Sequence, residues 1–225
     1  MMFIGYSLQK KLMKIFLTVL MGAVSITMLM PFLWMLSASF KPDNEVFNFP
    51  IEWIPKTFTL ANYERVWNSD VPFTLFFKNS VKITVLAVIG EVVTSALAGY
   101  AFAKIKFKGR NIVFLIYIST LIFPAQMMLI PRFVLFREIN IYNTHWALIL
   151  PGMFTAFGTF LLRQFFSTIP EELTESAKID GASHFTIFTK IVLPLSTAAV
   201  SALIIFQFVG MWNQYEPALV YLRTK

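Results

Sequence analysis

The chain has 225 residues, 57% hydrophobic and 14% charged, with a formal net charge of +7. A soluble fold of this size lacks the interior to hide so much apolar side chain, and disorder needs low hydrophobicity and high charge, so both classes are excluded. Cysteine is absent, which removes disulfides and thiolate metal sites, and what remains is a polytopic membrane protein whose basic charge faces anionic lipid rather than nucleic acid.

About 20 helical residues cross a bilayer, and five uncharged or nearly uncharged runs have that length. The first expected span is 15–37; a cleaved signal peptide is the alternative, but the run is too long and shows no small-residue cleavage site. The second is 83–103, interrupted only by Glu91. The third is 111–131 with Pro124 inside it. The fourth covers about 145–162 and contains Pro151-Gly152. The fifth runs from 191 to about 215, with Pro194 near its start. Prolines are tolerated in such runs because neighbouring helices can satisfy the freed carbonyls.

Lysine and arginine in short loops set orientation. Lys10, Lys11 and Lys14 precede the first span, and Lys104, Lys106, Lys108 and Arg110 separate the second from the third with no acid among them. That dense cluster places the N-terminus in the cytoplasm, 41–71 outside, and the connection between the fourth and fifth spans inside. Five crossings leave the end of the chain outside, and 222–225 read as neither a closing helix nor a tail, so a further span is expected.

The connection 167–194 carries the most information. Pro170 suits a first helical position, and Glu171, Glu172 and Glu175 lie where the helix dipole favours acids. Leu173 and Ala177 are four apart on one face, so they can pack together. Asp180-Gly181 ends the helix, and Ser183 caps the next one. The spacing therefore predicts a short helix over 170–179. Ser176, Ala177 and Ala182 are small enough to let another surface approach closely. From the residues alone, a helix resting on the membrane surface and a docking helix stand level.

Glu175-Ser176-Ala177, then Asp180-Gly181-Ala182, then Ile191-Val192-Leu193-Pro194 resembles the EAA loop of permease subunits in bacterial binding-protein-dependent ABC importers, with serine in place of the usual alanine at Ser176. The resemblance runs the length of the chain and points to the carbohydrate-uptake branch, most closely the smaller permease of maltose-type systems. The segment from Pro31 to Lys41, Asn62-Tyr63 with Asn79-Ser80, the stretch from Ala98 to Arg110, the stretch from Phe160 to Phe166, and Trp212-Asn213 each look like that branch's counterparts in order.

The resemblance implies an all-α type I ABC importer permease fold, with five of an expected six spans in this chain. It divides the chain into 1–78, holding the cytoplasmic N-terminus, first span and external loop, and 79–225, holding spans two to five with the EAA loop. It implies a multi-pass protein of the bacterial inner membrane. Its partners would be an ATP-binding cassette ATPase dimer, a second permease subunit, an extracytoplasmic solute-binding protein, a sugar substrate and the bilayer. Glu175, Ser176, Ala177, Asp180, Gly181 and Ala182 would dock on the ATPase, and 217–225 would approach the binding protein. The chain has no phosphate-cradling Gly-x-x-x-x-Gly-Lys-Ser/Thr loop. No cofactor is expected, ATP is left to a separate subunit, and the chain is not an enzyme.

Other residues invite individual readings. An intramembrane carboxylate costs about 2.5–3.5 kcal/mol on insertion scales, which makes Glu91 a candidate for the pathway or a helix interface, although the sequence names no partner for it. His145 and His184 have no second ligand nearby, so no metal site is expected. Trp212 and Tyr215 fit interfacial anchors better than sugar-stacking groups. Leu60, Tyr63, Val66 and Trp67 form a helical stripe in the external loop, suited to covering the outer mouth, meeting a soluble protein or packing on a span. The rival functions are a permease for amino acids, peptides or phosphate esters, and an intramembrane enzyme, for which no acid–histidine constellation is spaced correctly.

Overall fold

The computed structural model describes residues 2–223, which form helices and single turns with no strand among them. They fall into two compact units, Met1–Thr74 and Leu75–Lys225.

The first unit is built on α1 (Met2–Ser39), apolar and exposed along its length from Leu8 onward. Its hydroxyls are not wasted in apolar surroundings, since Thr18, Ser25 and Thr27 each donate to the carbonyl four residues back. The chain leaving α1 is pinned by Lys41, which is buried, donates to the Glu52 carbonyl and lies 4.7 Å from the centre of the Trp34 ring. In α2 (Ala61–Trp67), Asn62 donates to the carbonyls of Ser39 (3.2 Å) and Lys41 (2.8 Å), and Tyr63 bonds the Ser39 hydroxyl. The Asn62-Tyr63 pair is thus a clamp on the exit from the first span. The Leu60, Tyr63, Val66 and Trp67 stripe remains exposed.

The second unit contains nearly all of α3 (Phe73–Lys104), a single straight helix that begins ten residues before the expected span. Lys78 and Lys82 interrupt the apolar run without interrupting the helix, since long basic side chains can lie along it and carry their charge to the interface. The expected third span is not one rod. α4 (Arg110–Ser119) continues through a turn at Thr120–Ile122, and after Pro124 the chain resumes through a turn at Ala125–Met128 into α5 (Leu129–Glu138), bent by 95°. Proline disfavours helical conformation in the residue before it, and Phe123 is extended.

The expected fourth span consists of α6 (Trp146–Met153) and α7 (Ala156–Thr168), separated by a break just after Pro151-Gly152 and running six residues past the expected end. α8 (Glu171–Ile179) follows, then α9 (His184–Ile187), a π-helical turn (Phe188–Val192), α10 (Leu193–Leu195), α11 (Thr197–Trp212) and α12 (Glu216–Tyr221). The expected fifth span is also broken, by 78° between 184–195 and 197–212. Pro194 has no amide hydrogen for the Lys190 carbonyl, and the helical ladder slips into its π turn just before it. By length and composition, three described helices can cross a membrane, or five if each bent pair counts as one.

Two buried clusters hold this unit together. The larger joins Ala96 and Tyr100 of α3, Leu162 and Phe166 of α7, and Ile187, Phe188, Val192, Ala199 and Leu203 around the second bend. The smaller joins Phe136, Ala147, Leu148 and Tyr221.

Candidate functional site

α8 begins at Glu171, with Pro170 as the extended residue before it, one position later than expected. Glu171 and Glu172 occupy the acidic first turn. The inward face is Thr174, whose hydroxyl donates to the Glu171 carbonyl (2.8 Å), together with Ala177. Of Leu173 and Ala177, four apart on one face, only Ala177 packs against the larger cluster. Leu173 is turned out, because Thr174, one residue further round the helix, takes the side facing the core.

The helix ends in a Schellman motif: Ala182 N–H donates to Ala177 O (2.9 Å) and Gly181 N–H to Lys178 O (3.0 Å). Gly181 has φ +80°, the left-handed conformation this stop requires, and a Cβ there would meet only open space. The six candidate residues therefore divide. Ala177 and Ala182 pack inward on the larger cluster as the apolar contact of the motif, while Glu175, Ser176, Asp180 and Gly181 are exposed. Beside them stand two apolar side chains that the sequence reading passed over, Ile179 (86% exposed) and Phe185 (70% exposed).

The segment is fastened to the C-terminal end of α3. Lys104 Nζ donates to Ile169 O (2.6 Å), Lys106 lies 3.6 Å from Glu171, and the Tyr100 hydroxyl bonds His184 Nδ1 (3.2 Å). His184 is thus a hydrogen-bonding anchor. Ser183 caps α9 by accepting from Thr186 N–H (3.2 Å). Between α8 and α11 lies the 184–195 segment, anchored in the larger cluster by Ile187, Phe188 and Val192, beyond which the chain bends.

Glu91 is 1% exposed and sits inside the second unit. Its Oε1 accepts from the Thr155 hydroxyl, at the break between α6 and α7, and its Oε2 has no partner among the described residues; neither has Ser95 Oγ. The backbone of α7 comes so close that a Cβ on Gly158 would lie 2.5 Å from Ser95 Oγ and 2.7 Å from Glu91 Oε1. Around the same break, Gln207 Nε2 donates to Gly152 O (2.8 Å), Thr94 to Met153 O, and the Tyr117 hydroxyl to Thr155 O (3.1 Å). Side chains from α3, α4 and α11 thus supply the donors that the interrupted ladder lacks.

Residues 91–216 match the family described as binding-protein-dependent transport system inner membrane component. The chain belongs to this family. It is similar to an arabinooligosaccharides transport system permease protein of Halalkalibacterium halodurans, 34% identical over 92% of this chain and 75% of that one. It is 36% identical to an sn-glycerol-3-phosphate transport system permease protein of Yersinia pestis, over 77% of this chain and 63% of that one. A solved structure of a bacterial ABC transporter involved in the import of the acidic polysaccharide alginate matches 95% of this chain and 75% of its own, with a TM-score of 0.80 and 26% identity.

The chain is accordingly a multi-pass permease of the inner membrane with the type I importer fold, and its family is non-enzymatic. Among its described residues no three His, Asp or Glu side chains gather into a metal-ligating group. The permease residues missed from sequence are Thr94, Tyr117, Thr155 and Gln207. Their signal in the sequence is polarity within apolar spans, weaker for a neutral side chain than for the carboxylate of Glu91.

Proposed function

We propose that this permease forms half of the translocation pathway of an ATP-driven saccharide importer and receives its drive through α8. The reading is supported by the relatives named for oligosaccharide and polysaccharide import. The observation that carries it is α8 itself: a short helix fixed to α3 on its inner side and presenting Glu175, Ser176, Asp180 and Gly181, with Ile179 and Phe185, on its outer side. An ATPase dimer gripping that outer side would move α8 together with the 184–195 segment about the bend that precedes α11. Switching between two packings of the spans then needs no chemistry in this chain. A second permease would complete the pathway and a solute-binding protein would deliver the cargo. The N-terminus and α8 lie in the cytoplasm in this reading.

The test is uptake of labelled oligosaccharide by the assembled importer carrying Glu175→Ala or Gly181→Val. Both variants are expected to remain in the membrane at normal levels and to lose transport, with ATPase activity no longer stimulated by the loaded binding protein. Gly181→Val forces a β-branched residue into a left-handed conformation costing roughly 1–2 kcal/mol. Undiminished uptake in both would remove α8 from the coupling role.

A further inference from the structure

At the end of α3 away from α8, the second unit holds a half-open cavity of about 540 Å³. Asn79, Ser80 and Thr84 of α3 line it, with His145, Trp212 and Gln214 from the segments that meet there. α3 is continuous from Phe73 to Lys104, so roughly 37 Å of helix, at 1.5 Å per residue, separates Asn79 from the α8 anchor. The cavity and α8 therefore lie at opposite ends of one span.

Two features set the cavity's chemistry. No lysine, arginine, aspartate or glutamate lines it. Thr84 is buried, Asn79 half-buried, and Ser80, Trp212 and Gln214 are exposed at its wall, and none of these side chains is hydrogen-bonded to another described residue. Their donors and acceptors are therefore free to exchange water for the polar groups of a ligand. Trp212 is stacked on Phe208 (5.6 Å between centroids, 13° between planes) and meets Phe77 edge-on at 5.9 Å. It is a fixed aromatic wall, not a mobile one.

We propose that this cavity is a subsite for one ring of a neutral saccharide on its way from the extracytoplasmic side. The inference rests on the importer reading above and adds a ligand class to it. Primary amides and hydroxyls both donate and accept, which matches sugar hydroxyls. The Trp212 indole, which lines the cavity, adds apolar wall beside those groups for the C–H side of a ring. A phosphate ester or acidic sugar would lose hydration there with no cation to replace it. The volume lies within the roughly 300–1,000 Å³ usual for small-molecule sites. An adjoining smaller cavity shares Gln214 and holds both Arg132 and Glu216, so it does not favour anions either.

The chain has no cysteine, so Ser80→Cys in the assembled importer gives a single labelling site, read on the separated subunit. In proteoliposomes, nucleotide-free and vanadate-trapped, a membrane-impermeant maleimide is expected to label it. Millimolar arabinotriose or maltotriose is expected to protect it, and trigalacturonate or glycerol 3-phosphate is not. Adding Gln214→Ala or Asn79→Ala should raise the half-protecting concentration about tenfold, the equivalent of one good hydrogen bond. Absence of labelling in both states, absence of protection by the neutral probes, or equal protection by the anionic ones would overturn the subsite. If the wild-type importer transports saccharide while protection fails, only the subsite falls; if it transports no saccharide, the importer reading falls with it.

Discussion

Glu91 shows how an expensive residue is accommodated. Its burial gives one oxygen a hydroxyl donor from Thr155, and the close approach of α7 at Gly158 seals the site. Gly158 has no room for a side chain because Glu91 Oε1 and Ser95 Oγ already fill the position of its Cβ. Gly158→Ala is therefore expected to destabilise the permease by about 1–3 kcal/mol, the range for overpacking. Gly210→Ala, where a Cβ meets nothing within 4 Å, should leave the melting temperature of the purified importer unchanged or slightly raised. Glu91→Gln keeps an acceptor for Thr155 and is expected to fold normally. Glu91→Leu leaves the Thr155 O–H without its acceptor, although the oxygen still accepts from Gly158 N–H (3.1 Å), at a cost of about 1–3 kcal/mol. Thermal unfolding of the four variants in detergent ranks them, and equal melting of the Gln and Leu forms would deny the Thr155 bond any structural role.

At the scale of elements, the breaks matter more than the rods. The third and fifth expected spans bend by 95° and 78°, and the fourth is interrupted at Phe154-Thr155. Each break frees backbone groups that apolar surroundings cannot satisfy, and at the fourth span Thr94, Tyr117 and Gln207 satisfy them from other helices. Pro124, Pro151-Gly152 and Pro194 were visible in the sequence as places where a helix could break. Whether each would become a kink, an interruption or a right-angled turn was not, because the outcome depends on which donors lie opposite. α8 was more legible: its acidic first turn, glycine stop and serine cap are all local devices, and all formed. Ser183→Ala removes the cap bond to Thr186 N–H and should cost about 1 kcal/mol. It is expected to speed proteolysis within 180–187 in the folded importer, and an unchanged cleavage pattern would show the cap to be dispensable.

For the molecule as a whole, one end of the second unit carries α8 and the basic loop, and the other carries the uncharged cavity. The contacts of Lys104 and Lys106 with Ile169 and Glu171 show that the dense basic cluster and α8 share one end of the unit. With the basic cluster in the cytoplasm, the cavity end faces outward. In intact cells, Glu138→Cys near the cavity end is expected to react with an impermeant maleimide, and Lys108→Cys only after permeabilisation. The reverse pattern would invert the permease and separate α8 from any cytoplasmic motor.

Composition and local pattern were enough to establish that the chain lives in lipid, roughly where it crosses, and that a short helix near 170–179 stops at Gly181 before a Ser183 cap, because hydrophobicity, helix dipoles, glycine stops and caps act over a few residues. The partition of α8 into an inward Ala177–Ala182 contact and an outward Glu175–Asp180 face came from packing, as did the Thr155 partner of Glu91. So did the gathering of Asn79, Thr84, Trp212 and Gln214 around one cavity. Those features join residues dozens of positions apart, and no local rule of spacing fixes which side chains from separate helices will meet.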